Sequence, residues 1–257
     1  MSDSYETLLV ERDGPVMTVR MSRPEKRNAI NRQMHLDLQR LCLELSEDFD
    51  TRAVILTGAE GVFSSGADTS EWGQPGPDNA LELRHQSGIG GRTSDAIQDL
   101  NQISIAAVGG FAVGGGVVLA VCCDLRVAAE SAWFSIPEVE LGIPLSWNAL
   151  PRLARELGHA RALELTALCE RFSAQQAFDY GLATHLAPDG QELEQARALA
   201  DRAAAMPALP LALTKAAMKA IKRGTEGGQV SYGDGDLLLY SRLLQQRARR
   251  RGKRNDS

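Results

Sequence analysis

The spacing of apolar residues changes several times along the chain, and each change predicts an element. Thr7–Asp13 and Val16–Met21 are runs of strand-forming residues separated by Gly14-Pro15, which predicts two strands joined by a tight turn. Met34, Leu38, Leu41 and Leu45 then recur at helical spacing, and Asn31 stands where it can cap the first turn, so a helix is expected from there to about Asp48. Ala53–Thr57 and Ile103–Val108 are unbroken apolar runs, as expected of strands covered on both faces. Val117–Val121 predicts a short apolar helix, and Leu125–Ala129 a further strand. Between Gly73 and Gly91 no period is sustained. That stretch predicts a surface segment over a pocket, with a helix around Asn79–His85.

The last third changes character. Ser173 and Gln176 have capping-box spacing, and Gly181 is placed to end the helix they begin. Helical segments follow at Gln191–Ala205, Leu211–Lys222 and Asp236–Arg250, broken at Pro207, Pro210 and Gly224–Gly235. Strands alternating with helices, followed by helices alone, predict an α/β core with a helical appendage.

Composition narrows the class. The 257 residues are 44% hydrophobic and 24% charged, as in an ordinary globular chain long enough to bury its own core. A net charge of −5 offers no basic footprint for nucleic acid. The cationic run QRARRRGKR, ending at Arg254, reads as a solvated tail. Cys42, Cys122, Cys123 and Cys169 show no CxxC spacing and suit buried thiols in a reducing compartment. The N-terminal residues lack the pattern of a signal peptide, and no apolar stretch is long enough to span a bilayer, so a cytoplasmic protein without a membrane partner is expected. His35, His85, His159 and His185 have no metal-site spacing and read as surface or helix-end residues; no metal is expected.

Candidate chemistry lies in two glycine-rich turns, each after a buried strand. In GAEGVFSSGAD, Gly66 permits a sharp turn that can aim the Ala67 N–H away from the sheet. In GGFAVGGG, Gly114, Gly115 and Gly116 open a helix whose first N–H groups have no intrahelical partner. If the turns converge, the Ala67 and Gly115 amides form an oxyanion hole; taken singly, each is equally an ordinary strand-to-helix turn. Nucleotide-binding readings fail. Gly61 to Gly66 has P-loop spacing, but Ala67 and Asp68 stand where Lys and Ser/Thr belong, and after Gly114 and Gly116 a dinucleotide fingerprint meets Leu119 in place of glycine.

Four ordered segments resemble the crotonase, or enoyl-CoA hydratase/isomerase, family: SRPEKRNAI (Ser22–Ile30), VILTGAEGVFSSGAD (Val54–Asp68), the stretch from Ile105 to Ile143, and RFSAQQAFDYGLATHL (Arg171–Leu186). The resemblance implies a spiral of repeated ββα units, with a core over 1–186 and a helical trimerisation region over 187–257, in a homotrimer or dimer of trimers. It implies that Ala67 and Gly115 hold a thioester oxygen, that Glu138 in IPEVELG is an acid/base, and that Asp68 pins the first turn. Coenzyme A would enter as part of the acyl-CoA substrate, with no separate cofactor. Lys26 and Arg27 would lie near its phosphates, and Lys215 could reach the ribose phosphate.

The chain departs from the family pattern in two places. A hydratase of this kind carries a first glutamate three residues past the middle glycine; here that residue is Val118. In GIPLSWNALPR, where relatives carry a glycine-rich turn or an aspartate, no residue is acidic and Trp147 stands as a bulky insertion, in the acyl pocket or in the core, with Ser146 and Asn148 beside it. The expected reaction is therefore a Δ3-Δ2 enoyl-CoA isomerisation with one glutamate. The alternatives are hydration with a carboxylate such as Glu140 supplying the missing group, or acyl-CoA binding with weak catalysis.

Overall fold

The computed structural model describes residues 5–72 and 77–225. Its main sheet has β1 (Leu8–Asp13), β2 (Val16–Met21), β3 (Ala53–Gly58), β4 (Ile103–Val108), β6 (Leu125–Ala129) and β9 (His185–Ala187) side by side in that order, and a smaller sheet holds β5 (Phe111–Val113), β7 (Trp133–Ser135) and β8 (Phe172–Ser173). β1 and β2 form the expected hairpin, while β2, β3, β4, β6 and β9 run parallel.

Successive units explain the two sheets. β4 passes into β5 and then α4 (Gly115–Cys122); β6 passes into β7 and then α5 (Ala149–Leu157) and α6 (His159–Leu168). Each unit adds one strand to each sheet before its helices, which builds a spiral of ββα repeats. The parallel strands are buried on both faces, which is why their sequences lack polar alternation. Val54, Leu56, Ala106 and Val108 face one core, shared with α1 (Arg32–Ser46) and α4. Ile55, Ile105, Ala107 and Val127 face another, covered by Ala196 and Ala200 of α8 (Glu192–Ala204).

Several expectations hold in detail. The Asn31 side chain accepts from the Met34 N–H at 2.9 Å, and Ser173 and Gln176 form a reciprocal capping box at the start of α7 (Ala174–Asp179). α1 ends at Ser46, because the Asp48 carboxylate instead accepts from the N–H groups of Asp50 and Thr51. The stretch read as surface segment contains α2 (Ala80–Ser87), capped by Asn79, and the unforeseen α3 (Ile89–Gln98). Pro210 does not break the last described helix, α9 (Ala208–Thr225); it sits in the first turn, where its missing N–H has no intrahelical partner to lose. The expected helix Asp236–Arg250 and the cationic run lie outside the described residues. Among the described residues no helix is long and apolar enough to cross a membrane.

Candidate active site

The first glycine turn is fixed by main-chain bonds on two sides. Ser64 pairs with Ala112, its N–H reaching Phe111 O at 3.2 Å and its carbonyl receiving Val113 N–H at 3.0 Å. Three residues on, Ile30 pairs with Ala67: the Ile30 N–H donates to Gly66 O at 2.8 Å, and the Asp68 N–H to Ile30 O at 2.9 Å. In such a parallel bridge Ala67 is passed over, so its own N–H faces the opposite side. Gly66 makes the turn with φ of 89°, and a Cβ there would lie 2.7 Å from Val113 O and 3.5 Å from the Gly115 nitrogen. The two turns therefore meet at van der Waals distance. Gly114 brings the second one round with φ of 49°, its N–H bonded to Ser135 O at 2.8 Å, and Gly115 begins α4, where its N–H lies too early to have an intrahelical partner.

Glu138 sits directly over this junction. Beyond β7, the Ile143 N–H closes a turn onto Glu138 O at 2.9 Å, and the side chain turns inward so that a Cβ on Gly114 would meet Glu138 Oε1 at 2.4 Å. Its Oε2 is buried with no hydrogen-bond partner among the described residues. Burial, only partly offset by the backbone amide of Glu138 itself, pushes the carboxyl up to about 7. Val118, one turn into α4, is buried in the same wall.

A cavity of about 560 Å³ joins these groups; Ala67, Asp68, Gly115, Val118, Glu138 and Trp147 all line it. Its walls also carry Glu71, so among the described residues three carboxylates line it. Burial disfavours the Asp68 charge, but bonds from the Ser70 hydroxyl, Arg23 and the Ser70 amide outweigh this and hold it below the usual range. The Asp68 side chain is thus taken up by Ser70 and by an ion pair with Arg23 at 2.9 Å. Glu71 is exposed and accepts from the Arg32 N–H at 2.9 Å. Glu138 remains as the carboxylate with a buried, unpartnered oxygen.

The other candidates divide. Lys26 and Arg27 are exposed and do not line the cavity, but their carbonyls receive bonds from the Ser65 hydroxyl and N–H, and Ser65 does line it. Buried Asn28 ties the same loop to the first turn through Val62 O at 2.6 Å. Lys215 does not reach the site: it is buried against Gln102 O and the Asp124 carboxylate, the latter at 2.6 Å. Glu140 is exposed and outside the lining, so it supplies no second carboxylate there. Ser146 lines the cavity, while Asn148 lies beside it with its amide 3.4 Å from Asp95.

His35 was read as a surface or helix-end residue, and the structure corrects this. It is 4% exposed, lines the cavity, and is held near pKa 3 by burial and by Arg92. Its Nδ1 lies 2.9 Å from Thr93 Oγ1, and its ring meets Trp147 edge-on at 4.7 Å. The signal was available: His35 precedes Leu38 and Cys42 by three and seven residues, on the inward stripe of α1.

Residues 11–254 match the family described as enoyl-CoA hydratase/isomerase. A Mycobacterium bovis protein named probable enoyl-CoA hydratase is 34% identical over 94% of this chain and 89% of its own length. The mitochondrial delta(3,5)-delta(2,4)-dienoyl-CoA isomerase of Mus musculus is 35% identical over 72% of this chain and 60% of its own. The crystal structure of a Thermobifida fusca protein of the hydratase kind, in complex with CoA, superposes with a TM-score of 0.77 at 26% identity, over 98% of this chain and 95% of that one.

Proposed function

Because the chain belongs to the enoyl-CoA hydratase/isomerase family, we propose that it acts on an unsaturated acyl-CoA and moves the double bond with Glu138 as its single acid/base. The observation that carries this reading is the Glu138 carboxyl, its Oε2 buried and unpartnered among the described residues, beside the junction of the Ala67 and Gly115 turns, with apolar Val118 as the neighbouring wall. The two amides would accept charge on the thioester oxygen, which acidifies the C2 proton. Glu138 would take that proton and return it at C4. A group with pKa about 7 is poised for both halves, being present as base and as acid near neutrality.

Coenzyme A would arrive with the substrate. The Ser65 rim beside Lys26 and Arg27 supports placing its phosphates there, as does the CoA complex of the Thermobifida fusca relative. Exposed Leu209, Leu213, Met218 and Ile221 on α9 support a homo-oligomer, either a trimer or a dimer of trimers.

Incubating the protein with a trans-3-enoyl-CoA in heavy water tests the reaction. The expected result is migration of the double bond, with a loss of roughly 10²–10⁴-fold in Glu138→Gln. Hydration is the second reading, favoured by the relative named as a hydratase. Addition of water to a trans-2-enoyl-CoA without any migration would establish it in place of the first. Tight acyl-CoA binding with neither reaction would leave a binding protein.

A further inference from the structure

Trp147 stands where the proposed proton shuttle makes no use of it, yet it is held with care. A Cβ on Gly115 would come within 2.3 Å of its Cζ3, and a Cβ on Gly90 of α3 within 2.1 Å of Cδ1 and Nε1. The indole therefore bridges α3 and the first residue of α4. Trp147 and Asn148 are both left-handed, with φ of 58° and 56°, a conformation that persists only where the surroundings over-determine it. Buried Arg152 does so: it donates to Asn148 O at 2.7 Å and to Trp147 O at 3.4 Å, and is itself fixed by Gln98 at 2.7 Å and Asp95 at 2.6 Å.

Gly115 and Val118 are three residues apart and share a face of α4. Helical side chains lean back over the preceding turn, so a longer side chain at 118 would be driven onto the spot above Gly115 that the indole fills. Glu138 lies over Gly114 and Trp147 over Gly115, so the two flank the amide junction.

We propose that Trp147 is a specificity-determining residue, which with Val118 fills the space through which a water and a second acid/base group would reach the acyl chain. The inference rests on the acyl-CoA enolate reading above. In the isomerisation Glu138 removes a proton from C2, and the electron pair moves onto the thioester oxygen. The pair then returns as the proton is delivered to C4, moving the double bond from C3–C4 to C2–C3 with nothing else consumed. Hydration would instead add a water oxygen to C3 and a proton to C2, and the indole denies that water its place.

The test is a cycle of Val118→Glu, Trp147→Gly and the double variant, glycine being chosen because it accepts the left-handed backbone. Two readouts are taken: hydration of crotonyl-CoA, and thermal unfolding. The double variant is expected to hydrate crotonyl-CoA at least about a hundredfold faster than the parent or either single variant. Val118→Glu is expected to lower the melting temperature more in the parent than in the Trp147→Gly background. Hydration of crotonyl-CoA by Val118→Glu with Trp147 in place, an equal melting penalty in both backgrounds, or a double variant that binds butyryl-CoA yet does not hydrate crotonyl-CoA would each overturn the proposal. Trp147→Leu substitutes if the glycine variant fails to fold. A parent that does not move the double bond of a 3-enoyl-CoA sinks the isomerase reading alone, because the unfolding cycle still reports whether Trp147 and residue 118 compete for one space.

Discussion

Glu138→Gln should make the protein more stable, and by an amount that depends on pH. In the folded chain burial raises this carboxyl from an ordinary 4.5 to about 7. At about 1.36 kcal/mol per pH unit, keeping it charged in place costs roughly 3 kcal/mol. The sign follows from linkage. Below about pH 4.5 the carboxyl is protonated in both states and nothing is lost; as pH rises toward 7 the unfolded chain ionises while the folded one resists, so stability falls, levelling off above about 7. Glutamine does not titrate, and any fixed cost of burying its amide is the same at every pH. Thermal unfolding of parent and variant from pH 4 to 8.5 should therefore give curves that diverge, with the variant gaining on the order of 5–10 °C between the two ends. A gap that stays constant across that range would refute the claim that the carboxyl is desolvated. The variant should also be nearly inactive, as expected where a strained group is kept for chemistry.

The same group should shape catalysis: kcat/KM for the isomerisation should rise with pH through a midpoint of about 7 and then plateau, since the free enzyme needs Glu138 ionised to take the C2 proton, and a flat profile from pH 5.5 to 8.5 would remove it from that role. Lys215→Met should cost about 1–3 kcal/mol in urea unfolding by removing the Lys215–Asp124 ion pair, Asp124 keeping its bonds from the Ser104 N–H and hydroxyl, while KM for the acyl-CoA stays unchanged. A large rise in KM with little loss of stability would return Lys215 to the substrate.

How much was legible in the sequence depended on whether apolar side chains carried the information. Strands such as Ala53–Gly58 and Ile103–Val108 announce themselves because both faces are buried. α3 does not, since its inward face consists of Gly90, Thr93, Ser94, Ile97 and Gln98, where small and polar residues pack against Trp147 and His35 in place of a stripe of large apolar side chains. α5 does carry a helical period in Leu150, Leu153, Ala154 and Leu157; what obscures it is Pro151, which reads as a breaker but stands in the first turn, where it is tolerated. The short strands β5 and β7 are too brief to show alternation. Of the candidate site, the glycines and Glu138 were readable through the family resemblance. The meeting of the two turns, the burial of His35 and the sequestration of Lys215 are relations between distant segments, which no local pattern encodes.

The junction at the centre of the site is measured out in peptide groups. Ser64 on Ala112, Ile30 on Ala67 and Gly114 on Ser135 are joined by N–H and carbonyl alone. Such a ruler is blind to most side-chain exchange, so lineages that have drifted to about a third identity can keep the same spacing between the two amides. It is not blind to chain length. One residue inserted or lost between Ser64 and Ala67 would put the two bridges out of step with each other, and the tolerance for evolutionary change in that stretch should run through substitutions while excluding insertions and deletions.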